Sequence, residues 1–192
     1  MTDQVFTSGG APDWTTIPAP EEDGAAAHLT GLAWPALALP GTDGAAQDLS
    51  RSTGRAVVYV YPKTGRPGTA LPEGWDAIPG ARGCTPQSCA FRDHAADLRA
   101  AGVAHLCGLS TQTTEYQQEA AARLHLPFPL LSDANLRLAV ALRLPTMVAG
   151  GEVLLKRMAL VMRDGVIEQV FYPVFPPDRN AGDVLRWVTE NP

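Results

Sequence analysis

The chain has 192 residues, 45% of them hydrophobic and 18% charged, with a formal net charge of -5; this is the profile of one ordinary globular domain with room for an appendage. Its 15 Lys and Arg residues are scattered rather than clustered, so no electrostatic footprint for nucleic acid or an anionic membrane is expected. No apolar run approaches the roughly 20 residues of a membrane span and no basic segment leads into an apolar one at the start, so the expectation is a cytoplasmic protein with small-molecule or protein partners.

Residues 1–28 form an extended N-terminal arm by composition: Pro, Gly, Thr and acidic residues dominate without periodicity, predicting a loosely attached segment with no part in catalysis. The main domain then spans 29–192. Short strands are expected around Gly41 to Gly44, and "RAVVYVYP" predicts a strand buried on both faces. Residues 63–83, rich in Pro and Gly, fit neither helix nor strand and predict a long loop. In it, Trp75 and Ile78 are candidate apolar anchors for a pocket wall or a subunit contact, and plain solvent cover competes. Phe91, Ala95 and Leu98 fall at i, i+4 and i+7, predicting a helix over about 84–101 that ends before Gly102. "VAHLCGLST" predicts the next strand, "TEYQQEAAARLHL" a second helix, and "DANLRLAVALR" a third, capped by Asp133. "EVLLKRMALVM" and "VIEQVFYPV" flank an Asp-Gly turn and predict an antiparallel hairpin; "NAGDVLRWVTE" predicts a closing helix. This order suits an α/β domain of thioredoxin type.

Three cysteines are too few for a disulfide scaffold, and a close pair in a reducing compartment points to catalysis or metal binding. Cys84 falls in the first turn of its helix, where unpaired amide N–H groups and the positive end of the helix dipole favour a thiolate. On such a helix the Cα atoms of positions i and i+5 lie about 8.6 Å apart, beyond the roughly 4.4–6.8 Å that a disulfide spans. Cys84 and Cys89 therefore cannot bond while the helix is intact, and melting its first turn brings them into range. Pro86, lacking an N–H that would be unpaired there anyway, fits the helix at little cost. Two readings compete: Cys84 as a small apolar residue at a helix start, and a Cys84, Cys89 and His94 metal cluster, which lacks knuckle spacing and a fourth ligand. Cys107 reads as an inert core thiol, and His28, His105 and His125 as surface or internally satisfied residues.

Arg157 falls in "VLLKRMALVM", where residues 155, 157, 159 and 161 share one strand face with Leu, Ala and Val. An arginine on a buried face needs an anionic partner; a nearby thiolate or one of the 20 carboxylates would serve. Lys156, on the opposite face, reads as solvated.

Five segments, "VVYVYPKTG", "GCTPQSCAFRD", "LRAAGVAHLCGLST", "FPLLSDANLRLAVAL" and "LKRMALVMRDGVIEQVF", occur in the order and approximate spacing of the peroxiredoxins. The Cys-Thr-x-Gln-x-Cys and Phe-Arg-Asp pattern resembles the peroxiredoxin Q, or bacterioferritin comigratory protein, class, over about residues 29–190. The resemblance implies a thioredoxin fold with a central mixed sheet flanked by helices. It implies Cys84 as the peroxidatic cysteine, Cys89 as the resolving cysteine, and Arg157 as the arginine that stabilises the thiolate and orients the peroxide. It implies a hydroperoxide substrate, a thioredoxin-like reductant protein, a monomer or homodimer, and no metal or organic cofactor. The chain departs from the family where a proline and a Thr or Ser are usual before the cysteine: it has Ala77 and Ala81. Pro62 stands where the proline is expected, so 63–83 reads as an insertion. Thr64, Thr69 or Thr85 could supply the missing hydroxyl, or the amides of Gly83 and Cys84 could grip the peroxide instead. A thiol-disulfide oxidoreductase or redox sensor is a second reading, weakened by the absent C-x-x-C, and a thioredoxin-fold binding module with structural or metal-bound cysteines is a third.

Overall fold

The computed structural model describes residues 13–192; the part of the arm at 1–12 lies outside the described residues. In chain order the elements are β1 (Leu39–Pro40), β2 (Ala46–Gln47), β3 (Arg55–Val60), α1 (Cys84–Asp93), α2 (Ala95–Ala100), β4 (Val103–Ser110), α3 (Thr114–Arg123), β5 (Leu130–Ser132), α4 (Arg137–Leu142), β6 (Thr146–Ala149), β7 (Glu152–Leu155), β8 (Met158–Arg163), β9 (Val166–Phe171) and α5 (Asn180–Glu190). The central sheet has the order β5-β4-β3-β8-β9, with β3, β4 and β5 parallel and β8 and β9 antiparallel to their neighbours. This is the expected mixed sheet flanked by helices.

β3 explains the two-layer cover. Ala56, Val58 and Val60 face a core shared with Leu138, Ala139 and Leu142 of α4. Val57, Tyr59 and Tyr61 face the other, shared with Phe91, Leu98, Val184 and Val188 from α1, α2 and α5. A strand covered on both sides has no polar face to show, which is why its sequence runs apolar without alternation. The Tyr59 ring stacks on Phe91 at 4.5 Å between centroids and stands edge-on to Phe128 at 5.8 Å, which fixes α1 against the sheet. Gly108 of β4 leaves that space open: a Cβ there would lie 2.7 Å from Tyr59 Cζ.

The β8–β9 hairpin turns on Asp164 and Gly165, at φ 48° and 79°, the left-handed pair that a two-residue type I′ turn requires. Asp133 accepts the N–H groups of Leu138 at 3.0 Å and Ala139 at 2.8 Å, but it does so from outside the helix: α4 begins only at Arg137, with Leu136 in the left-handed region before it. The 63–83 segment is a loop with one short 3-10 turn at Trp75–Ala77. Trp75 is buried with Ala81, Ala149 and Leu154, and Ile78 and Met147 pack alongside. The loop is thereby clamped to the β6–β7 hairpin by a small core of its own.

Three expectations need correction. The helix foreseen over 84–101 is interrupted at His94, whose backbone leaves the helical region at φ -94° and ψ 2°; the Ala90 carbonyl is shared there by the His94 N–H at 3.0 Å and the His94 ring Nδ1 at 2.9 Å. The strand foreseen through Lys156 and Arg157 is two strands. β7 pairs with β6 in a separate ladder, Lys156 N–H is taken by the Pro145 carbonyl at 2.8 Å, and only from Met158 does the chain join β3. Leu155 accordingly lies in one core, while Ala159 and Val161 lie in the other. Finally, Lys156 is not simply solvated: it pairs at 2.6 Å with Asp23 of the arm, whose Trp14 indole N–H donates to Asp178 at 3.0 Å.

Replacing Trp75 by Ala removes most of the small core beneath the loop. Urea denaturation should show a loss of about 3 kcal/mol, and trypsin should cut the folded variant, unlike the parent, after Arg82, since the bond after Arg66 leads into Pro67 and resists trypsin.

Candidate active site

Gly83 precedes α1 in the left-handed region, at φ 102° and ψ 14°, and its carbonyl accepts the Gln87 N–H at 3.0 Å. Two constraints select glycine here: the positive φ, and the Pro177 ring and Trp14 Cη2, into which a Cβ would run. Cys84 therefore opens the helix with its sulfur turned inward, 4% exposed, in the core that also holds Tyr61 and Phe91. Burial keeps the Tyr61 hydroxyl well above its ordinary range, so it stays neutral beside the sulfur.

Arg157 is 2% exposed. Its Nη2 lies 3.3 Å from Cys84 Sγ and faces the carbonyl oxygens of Gly80 at 3.2 Å, Ala81 at 3.1 Å and Arg82 at 2.8 Å. Its Nη1 donates to Gln87 Oε1 at 2.5 Å. None of these partners is a carboxylate, so the alternative of a structural ion pair is not what the fold builds. Carbonyl dipoles solvate a guanidinium without cancelling its charge, and the sulfur is the one partner able to become an anion.

Gln87 and Asn180 escaped the sequence reading. Gln87 Nε2 donates to Asn180 Oδ1 at 3.0 Å, and both side chains are buried; the contact fixes which end of the Gln87 amide faces Arg157. Gln87 stands three residues after Cys84 on one helix face, a signal that was available. Asn180 comes from the start of α5, and nothing local marks it.

The sequence-derived candidates divide. Cys84 and Arg157 are brought together. Cys89 is half-buried on the same intact helix, and both are free thiols; burial pushes the Cys89 thiol up, with Arg92 opposing. Thr64 is buried, but its hydroxyl and its N–H both go to Gln112 Oε1 at 3.0 Å, so it is committed elsewhere. Thr85 is half-buried in the first turn, and its hydroxyl has no partner among the described residues. At position 81 the methyl group points into the Trp75 core while the carbonyl faces Arg157 and the sulfur, 3.6 Å away. Among the described residues no group of three or more His, Cys, Asp and Glu is placed to hold a metal, and His94 turns its ring to the Ala90 carbonyl. Cys107 is buried in β4, and burial pushes its thiol up to about 12.

Residues 29–185 match the family model described as Redoxin. Peroxiredoxin Q, chloroplastic, of Oryza sativa subsp. japonica is 32% identical over 158 residues, covering 81% of this chain and 64% of the relative. The chain thus spans less than two thirds of that relative's length. Peroxiredoxin Bcp of Escherichia coli (strain K12) is 31% identical over 162 residues, 82% of this chain and 93% of the relative. The crystal structure of Peroxidoxin BcpB from Mycobacterium tuberculosis matches with a TM-score of 0.68 at 25% identity, covering 85% of this chain and 98% of that one. No helix among the described residues is long and apolar enough to cross a membrane.

Alkylation tests the burial of Cys107. An unperturbed thiol ionises near pH 8.5, so moving from pH 7 to pH 9 should accelerate alkylation of a free cysteine more than tenfold. Cys107, whose proton is held to about 12, should remain unmodified at both pH values in the folded protein and react once urea is added, as read by peptide mass mapping.

Proposed function

The chain belongs to the redoxin family, among the peroxiredoxins of the Q/Bcp class, and from that premise we propose that it is a thiol peroxidase reducing hydrogen peroxide and organic hydroperoxides through Cys84. The observation that carries the reading is a buried guanidinium 3.3 Å from a cysteine sulfur with no carboxylate among its partners. A structural thiol needs no such neighbour. A thiolate does, and so does the negative charge that develops on a peroxide oxygen as the O–O bond breaks.

In the proposed cycle the Cys84 thiolate attacks one peroxide oxygen. An S–O bond forms, the O–O bond breaks, and the departing oxygen takes a proton to leave as water or an alcohol. Arg157 faces the sulfur and the developing charge together, and Gln87, held by Asn180, keeps it aimed. The Thr85 hydroxyl and the amides of Gly83 and Cys84 are the donors proposed to hold the peroxide, in place of the family hydroxyl missing at position 81. The first turn of α1 then opens, and Cys89 sulfur attacks the sulfenic sulfur. An S–S bond forms, the S–O bond breaks, and hydroxide leaves as water with the Cys89 proton. Cys89 is a poor nucleophile where it sits, because burial raises its pKa, and opening returns it to water, where the cause is removed. A thioredoxin-like protein dithiol supplies two electrons and two protons to restore both thiols. No metal or organic cofactor takes part in any step. Such a cycle suits a compartment that keeps dithiols reduced, as the cytoplasmic reading supposes.

One equivalent of hydrogen peroxide added to the reduced protein should lower the intact mass by two hydrogens. Cys89→Ser should stop at a sulfenic acid that dimedone traps, and Cys84→Ser should consume no peroxide. Arg157→Leu should lower the second-order rate constant about 100-fold. Peroxide consumption by Cys84→Ser, or an unchanged rate in Arg157→Leu, would overturn the assignment.

A further inference from the structure

Residues 13–28 precede the span matched by the family model, and they are laid over the segment that leads into α1. Trp14 stands edge-on to Phe175, with centroids 6.1 Å apart, and its indole N–H donates to Asp178 at 3.0 Å. Its Cη2 atom is 3.1 Å from the point where Gly83 would carry a Cβ. Four residues on, the Pro18 carbonyl accepts the Gly80 N–H at 3.4 Å, and Pro20 packs on Gly80. Asp23 then accepts from Lys156 Nζ at 2.6 Å and from the Tyr172 hydroxyl at 2.8 Å. The arm therefore touches Gly83, the residue before Cys84; Gly80, whose carbonyl binds Arg157; and Lys156, the residue before Arg157.

This seat depends on the state of α1. Gly83 caps the helix, and its left-handed backbone forms the surface on which Trp14 and Pro177 rest. Cα atoms at i and i+5 of a helix are about 8.6 Å apart, too far for a disulfide, so a Cys84–Cys89 bond requires the first turn to unwind. Unwinding moves the backbone of residues 83–86 and removes the surface under Trp14. Seated arm and disulfide are therefore competing states, and linkage makes the competition reciprocal: whatever the disulfide does to the arm, the arm does to the disulfide.

We infer that residues 13–28 are a redox-gated strap, seated across the start of α1 in the reduced protein and released when the Cys84–Cys89 disulfide forms. The inference rests on the disulfide cycle proposed above. By holding Gly83 the strap slows the opening that lets Cys89 reach Cys84. It thereby lengthens the life of the sulfenic acid and exposes it longer to a second peroxide, which adds a further oxygen to give the sulfinic acid. By favouring the reduced form it also raises the reduction potential of the pair. Release presents Trp14 and its neighbours as an exposed segment in the oxidised protein alone.

The test compares the full chain reduced with dithiothreitol and oxidised with one equivalent of hydrogen peroxide. Amide hydrogen exchange over residues 14–20 should be at least about tenfold faster after oxidation, with β3 and β8 unchanged. Trp14→Ala, which removes the aromatic pair and its hydrogen bond, should form the disulfide from the sulfenic acid about tenfold faster. A tenfold shift in the equilibrium lowers the potential by about 30 mV for a two-electron couple. More peroxide should then be needed to reach the sulfinic acid, while the rate of sulfenic acid formation stays within about twofold of the parent. Trp14→Phe keeps a ring but not the N–H, and should fall between. If the disulfide forms but arm exchange is the same in both redox states, or Trp14→Ala changes neither resolution nor potential, the strap is wrong and the disulfide cycle stands. If the parent forms no Cys84–Cys89 disulfide, both fall.

Discussion

A guanidinium shut away from water with no carboxylate beside it sets the terms for the rest of this structure. Left alone, a buried charge of that kind costs several kcal/mol, so the chain has to bring acceptors to Arg157. It does so by turning residues 80–82 until three successive carbonyls face one nitrogen. Such a turn is open to few sequences. Gly80 and Gly83 flank it in the left-handed region, and Ala81 between them sends its methyl group into the Trp75 core. The demand of the guanidinium and the absence of a hydroxyl at position 81 thus meet in one backbone path: the side chain there is committed to packing, and the polar work passes to the peptide groups.

The sheet decides that this arginine and the sulfur, 73 residues apart, arrive at the same place. Met158 pairs with Val60 and Ala159 with Tyr59, so the residue just before β8 is delivered to the end of β3. The Tyr59–Phe91 stack sets the height of α1 on the same face. A one-residue slip in that ladder would send Arg157 to the opposite core.

α1 is held unevenly. Its first turn has no side-chain cap, only a glycine and Pro86, while its middle is tied down by Phe91 and by Gln87 to Asn180 and Arg157. Residues 84–86 can therefore unwind without disturbing the Phe91 packing, and the arm at Trp14 bears on the glycine that precedes them. Gln87, lying between the two cysteines, links any opening to the position of Arg157.

The two-faced burial of β3, the Asp164–Gly165 hairpin, the role of Asp133 as an acceptor for the amides of α4, the order of a mixed α/β sheet, and a helix beginning at Cys84 with Cys89 too far along it to bond were all legible in the sequence. All of these follow from local periodicity, turn chemistry and helix geometry, which need only neighbours in the chain. Tertiary structure alone decided that Lys156 and Arg157 sit at a break between two ladders. It also decided that Gln87 bridges Asn180 to the arginine, that Thr64 is spent on Gln112, and that residues 13–28 lie across the entrance to α1. Each of those depends on which distant groups compete for one acceptor or one buried volume. Spacing along the chain carries no record of that competition, because it is settled only when the sheet closes and every buried polar group has to find a partner.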